Sequence, residues 1–293
     1  MTSHIGTVAR KDFADAGRSK LLWILIGLLV VIAGVGYVAI WATVEDVAGA
    51  EVLGFLGFPL QVVLPVAALI VGYMAVVGER RSGSIKLLLG LPPNRSDVVF
   101  GKLLGRTAVV VVAVALAFLV ALVLSLALFG TVPLVDWLAF GALTVLFGIT
   151  FVGMAVGVSA SVSSRGRSMA IVVGIYMVFV ALWELLTAGS YYLLYDEGPP
   201  LEPETWYLLL DQFNPIFAYT NLASSVVEGN IFPFQFQYGL ESIEAYQLTP
   251  AERYAGSGDA PFFLQEWFGL VVLVFWLVVP VAIGYYRFQR AEL

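Results

Sequence analysis

Few residues in this chain could do chemistry. Cysteine is absent and His4 is the single histidine, so thiolate nucleophiles, disulfides and Cys/His metal sites have no donors. His4 reads as an ordinary terminal residue. The stretch Gly78-Glu-Arg-Arg-Ser-Gly83-Ser84 has the outline of a phosphate-binding loop. It lacks the lysine that reaches the β- and γ-phosphates, and no strand precedes it, so the chain is not expected to hydrolyse ATP itself. Carboxylates within apolar runs would mark proton or ion coupling. The candidates are Glu184, beside Trp183, and Asp136, beside Trp137. Both stand near the end of an apolar run and read as interfacial carboxylates in an aromatic belt. With no proton relay at the bilayer centre, energy must enter elsewhere.

The candidate inlet is Glu79–Lys102, reading ERRSGSIKLLLGLPPNRSDVVFGK between two long apolar runs. Ile85, Leu88 and Leu89 share a face at helical spacing, with Lys86 on another. Gly83 precedes this turn, and Gly90 with Pro92-Pro93 ends it. A short apolar-faced helix held off the membrane by two spans could dock into a groove on a soluble partner. Equally, its leucines could lie in lipid while its basic residues meet anionic headgroups. The residues by themselves leave these two readings level.

The elements that must position this loop are membrane helices. Of 293 residues, 60% are hydrophobic and only 12% charged, more apolar surface than a soluble domain could bury. Six runs of roughly 20 residues match the hydrocarbon thickness: 21–42, 56–78, 105–129, 137–161, 169–188 and 267–286. Strand-like alternation is absent. The expected fold is all-α, a polytopic membrane protein with six transmembrane helices. No cleavable signal peptide is expected, because Leu21–Trp41 is too long for an h-region.

Charge sets the orientation. Of 15 Lys+Arg, only Arg253 falls on the side opposite the termini. By the positive-inside rule the termini and the 79–102 loop are cytoplasmic. A seventh span at Trp206–Leu222 would put Arg287 and Arg290 outside, and it would bury Asp211, Gln212 and Asn214. The opposite face, within 189–265, carries ten carboxylates against Arg253 alone. That composition and a pI near 4.8 fit a salt-loving organism. A surface that attracts cations or a basic partner is the rival reading.

Residues 3–20 predict an amphipathic interfacial helix, with Ile5, Val8, Ala9, Phe13 and Ala16 on one face and Arg10, Lys11 and Arg18 opposite. Asp12 interrupts the apolar face. Gly153-x-x-x-Gly157 predicts close helix packing, and Pro59 and Pro65 predict a kinked or shortened second span. Ser96-Asp97 is the expected N-cap of a helix running through span three. Between spans five and six, Thr205–Leu222 is expected to dip into the outer leaflet as a short helical element broken at Asn214-Pro215.

Glu79, Gly83, Leu87-Leu88-Leu89, Pro92, Arg95 and Gly101-Lys102 together resemble the permease subunits of the ABC-2 type family, the six-span membrane halves of type V ABC transporters. The resemblance runs along the whole chain, down to Arg287-Phe-Gln-Arg290-Ala-Glu292-Leu293 at its end. It implies that 1–293 is a single transmembrane domain. Residues 1–20 would be the elbow helix, 79–104 the coupling loop and 189–265 an external helical segment. It further implies that Glu79, Gly83, Ile85, Leu87, Leu88, Leu89, Pro92, Arg95 and Lys102 contact an ATPase subunit. ATP and Mg would then act only through that partner, and a second permease, identical or paralogous, would complete an exporter. No metal site, cofactor or nucleic-acid partner is expected in this chain. Asn214-Pro215 and Trp276–Pro280 add a fainter resemblance to permeases serving copper-enzyme maturation. The alternative is an ATP-independent carrier or channel, which would ordinarily show midplane charges or broken helices.

Overall fold

Hydrocarbon offers backbone groups no partner, so a chain this apolar must satisfy its N–H and C=O groups within helices. The structure, a computed structural model, describes residues 4–18, 20–43, 49–82, 94–227, 231, 238, 241–242, 244–245, 248–256 and 258–291. Among the described residues, six helical stretches are long and apolar enough to cross a membrane. Span one is Lys20–Thr43. Spans two to six are Val52–Arg81, Arg95–Phe129, Leu134–Ser161, Arg165–Tyr195 and Phe268–Gln289. All six agree with the sequence reading. Span five runs on past residue 188, so 189–195 are helix rather than outer loop.

Span four is the hub. It packs against spans two, three and six, and Phe140, Phe147, Phe151, Val152, Ala155 and Val156 are wholly buried along it. Its contact with span six is backbone-close. A Cβ on Gly157 would lie 2.2 Å from the Pro280 carbonyl oxygen, and one on Gly153 would lie 2.5 Å from the Leu277 side chain. Gly284 returns the fit, with Gly157 O only 2.2 Å from where its Cβ would stand. The expected glycine packing is therefore present, and its partner is span six.

Span two is broken, though not by its prolines. Pro65 sits inside the helix Gly57–Gly72, where Gln61 Nε2 donates to Gly57 O at 3.2 Å. The helix stops at Gly72, whose missing side chain admits the Ala155 methyl, and resumes as Val77–Ser82. Side chains of other spans satisfy the break. Ser159 Oγ accepts from Val76 N and Val77 N at 3.0 and 3.1 Å, and Ser168 Oγ donates to Tyr73 O at 2.6 Å. These are the orphan groups that any helix end leaves.

Span three is 35 residues long, about 52 Å at 1.5 Å per residue. Its N-cap is Asn94, two residues before the expected Ser96-Asp97. Asp97 instead closes a capping box, its carboxylate accepting from Asn94 N at 3.0 Å. The box needs an acceptor three residues beyond the cap, which Asp97 supplies only if Asn94 is the cap.

Between spans five and six, the helices Thr205–Gln212 and Pro215–Ser224 meet at Asn214-Pro215, the expected break. This hairpin goes deep. Tyr219 stacks on Phe147 with ring centroids 4.2 Å apart, and its hydroxyl lies 2.9 Å from Thr144 Oγ1. Thr144 is about 15 Å along span four from Leu134. Span five accommodates the hairpin with a π-helical turn, Val178–Leu182. Asn214 Nδ2 donates to Phe179 O in that turn at 2.9 Å, satisfying a carbonyl within the distorted stretch.

Candidate functional site

The basic end of the molecule gathers the described part of the 79–102 loop, the N-terminal helix Ile5–Gly17 and the last turn of span six. Gly83, Ile85, Leu87, Leu88, Leu89 and Pro92, the loop residues expected to face a partner, lie outside the described residues. Glu79, Arg95 and Lys102 are described, and all three turn inward.

Lys102 is 4% exposed. Its Nζ sits 2.9 Å from Glu79 at the end of span two and 3.1 Å from Asp12 of the N-terminal helix. Arg106, one turn along span three, meets the same Asp12 carboxylate at 2.7 Å through Nε. Two acids and two bases thus close a formally neutral quartet, buried at Lys102 and Asp12 and partly exposed at Glu79 and Arg106. It joins both arms of the loop to the N-terminal helix. Burying such charges is costly unless each is paired, which explains the Asp12 that interrupts the apolar face: it faces span three rather than lipid.

The N-terminal helix comes close because span three offers it Gly101 and Gly105. A Cβ on Gly101 would stand 2.6 Å from the Val8 side chain, and one on Gly105 would stand 2.9 Å from Ala9 O. This small-x-x-x-small groove is readable in the sequence at 101 and 105. Sequence reasoning noted Gly101 only beside Lys102 and missed its partner. Ser159 and Ser168, which hold the break in span two, carried no sequence signal, since serines in membrane helices are commonplace.

Arg95 points away from this quartet. Its Nη1 donates toward the carbonyls of Phe288, Gln289 and Ala291 at the end of span six. Its guanidinium lies 5.7 Å from the Phe288 ring centroid. Arg80, on the incoming arm, lies 5.9 Å from the same ring and donates to Val162 O at 3.1 Å.

At the acidic end, Arg253 is 1% exposed. It lies 3.4 Å from Glu241, donates to Leu201 O and Pro200 O and stacks over Tyr207. Glu241 also accepts from the Tyr207 hydroxyl. Burial raises the Glu241 carboxyl, opposed by Arg253 and reinforced by Glu184. Asp211 is likewise pushed up to about 6, chiefly by burial, with Arg253 opposing and Glu184 adding. Glu184, read from the sequence as an interfacial carboxylate, is covered by the protein itself. It is 3% exposed and accepts from Tyr238 N at 2.9 Å. Among the described residues no group of three or more His, Cys, Asp or Glu is placed to hold a metal ion.

Six apolar spans around a glycine-packed hub, with a helix fastened across span three and a hairpin set beside spans four to six, define a multi-pass helical membrane protein. The chain belongs to the ABC-2 family of transporter proteins: the family model described as "ABC-2 family transporter protein" matches residues 6–293. Among curated relatives it is 29% identical over 246 residues to the "Probable ABC transporter permease protein NosY" of Stutzerimonas stutzeri, covering 78% of this chain and 84% of that one. The protein of the same name in Pseudomonas aeruginosa is 30% identical over 248 residues, covering 78% and 86%. These comparisons make it a member of a permease family.

Proposed function

We propose that this chain is the transmembrane subunit of an ATP-driven exporter, working with a separate ATPase subunit that supplies ATP and Mg chemistry. The loop 79–102 receives the stroke. Two permease chains, this one twice or this one with a paralogue, flank the pathway, with the basic end cytoplasmic. The observation that carries the reading is the quartet of Asp12, Glu79, Lys102 and Arg106. It makes both arms of the loop and the N-terminal helix one body, so force applied to the loop enters span three instead of bending a hinge. Family membership supports the same reading, since ABC permeases draw on a partner's ATP hydrolysis.

Within this reading Glu79, Lys102 and Arg95 act from behind the contact surface, and Gly83, Ile85, Leu87, Leu88, Leu89 and Pro92 supply it. The test is to co-express the chain with its candidate ATPase, sought as a P-loop protein without membrane spans encoded next to its gene. In the Leu88→Asp and Gly83→Val variants, membrane insertion is expected to persist while permease-stimulated ATP hydrolysis is lost. Native mass spectrometry of the unmutated complex should count two permease chains. Undiminished stimulation in both variants, or transport by the purified chain without any ATPase, would overturn the proposal.

A further inference from the structure

The last turn of span six has no part in the quartet, yet it is held from two directions. Helix ends leave carbonyls without intrahelical donors and carry partial negative charge. Here Arg95 supplies the donor, reaching Phe288 O at 2.8 Å and Ala291 O at 3.0 Å, with Gln289 O between them. The Phe288 ring, wholly buried, is approached by two guanidiniums, Arg95 from the outgoing arm of the loop and Arg80 from the incoming arm. A cation over an aromatic face is attracted to it, more so when desolvated. Both arms therefore grip one residue of span six.

Span six is suited to carry that grip onward. It meets span four backbone to backbone at Gly157 and Gly284, and its Leu277 side chain fills the space that Gly153 leaves. At its far end Gly269 abuts Ala218 O and Leu222 of the hairpin, which would lie 2.7 and 2.9 Å from a Cβ there. Trp276 Nε1 donates to Phe213 O, at the bend of the same hairpin, at 2.9 Å. The end of span six nearest the loop and the hairpin at the opposite end are thus linked by one continuous helix, Phe268–Gln289, with Pro280 inside it.

We propose that Arg95 is a positioning residue that couples the 79–102 loop to the C-terminal turn of span six, so that loop displacement is delivered through span six to the hairpin. The inference rests on the reading of that loop as the ATPase contact. Arginine suits the task because its planar fork can hold several carbonyls while its face stacks on a ring, which a lysine ammonium cannot do.

The native chain has no cysteine, so single reporters are clean. Spin labels are placed at Ala291→Cys, on the gripped turn, and separately at Ser84→Cys, on the loop, in the intact complex with its ATPase. Trapping the ATPase with ATP and vanadate is expected to change the mobility of both labels. In Arg95→Ala the Ser84 response should persist, showing an assembled complex, while the Ala291 response is lost. Arg95→Lys should restore part of it. If Arg95→Ala does not assemble, Arg95→Gln takes its place with the same expectation. An Ala291 response that survives both substitutions, or that is absent from the native background while Ser84 responds, overturns the inference. If neither label responds in the native background, the ATPase reading falls, and this inference with it.

Discussion

Asp12 shows how a single residue changes meaning on folding. In the sequence it is a flaw in an amphipathic face; in the structure it is the shared partner of Lys102 and Arg106. Breaking one side of a buried ion pair leaves the other charge stranded and costs about 3–5 kcal/mol. Asp12→Ala is expected near the low end of that range, because Glu79 still faces Lys102. Thermal unfolding in detergent should report the loss. A paired change, Asp12→Leu with Arg106→Met, should recover much of it, since it removes both charges of one pair and keeps Lys102 facing Glu79. Recovery would identify the quartet as a fastening rather than a contact that an ATPase must read. Coupled ATP hydrolysis, measured on the same variants, then separates the strength of that fastening from the surface chemistry of the loop.

At the scale of elements, the contact between spans four and six depends on having no side chain where the backbones cross. Gly157→Val would drive a branched side chain into Pro280 O, which lies 2.2 Å from where even a Cβ would stand. Relief requires the helices to part, and overpacking of this kind costs about 1–3 kcal/mol or more. Gly174→Val in span five is the control, since nothing lies within 4 Å of its Cβ position. The expected outcome is a lowered melting temperature for Gly157→Val and little change for Gly174→Val. Equal behaviour of the two would show that the backbones do not meet at Gly157. The break in span two belongs to the same scale. Its donors are satisfied by Ser159, so the shape of the helix leading into the loop is set by its neighbour and not by Pro65.

Across the whole molecule, a pH response is expected from the acidic end. The basic end is built on an ion quartet, whereas the acidic end buries Asp211 and Glu241 beside Arg253. A carboxyl raised in the folded state binds its proton more tightly there than when unfolded. Its contribution is therefore fullest below the unfolded value and is lost as pH rises through the folded one. For Asp211 the window runs from its ordinary 3.8 to about 6. The unmutated chain should melt at a higher temperature at pH 5 than at pH 7 through this group. Asp211→Asn should be stabilised at pH 7 and lose much of the difference. A pH 5 to pH 7 difference of the same size in the variant would remove Asp211 from the account.

Six spans, both ends on one side, the helix break at Asn214-Pro215 and the glycine pair of span four were all legible in the sequence. Each follows from a local rule: hydrocarbon thickness, charge placement, proline chemistry and helical spacing act on neighbouring residues. Partners were not legible, because partnership in a membrane bundle is decided by which helices lie side by side. Nothing near Asp12 in the chain announces Lys102, ninety positions on, and nothing near Arg95 announces Phe288. Glu184 read only as an interfacial carboxylate because the backbone N–H it accepts from, that of Tyr238, comes from far along the chain. The sequence by itself determined that this is a six-span membrane protein with a basic loop between spans two and three. Only the tertiary structure decided that the loop is fastened on one side to the N-terminal helix and on the other to span six. Buried charges and helix-end carbonyls must find partners, and folding brings those partners within about 3 Å.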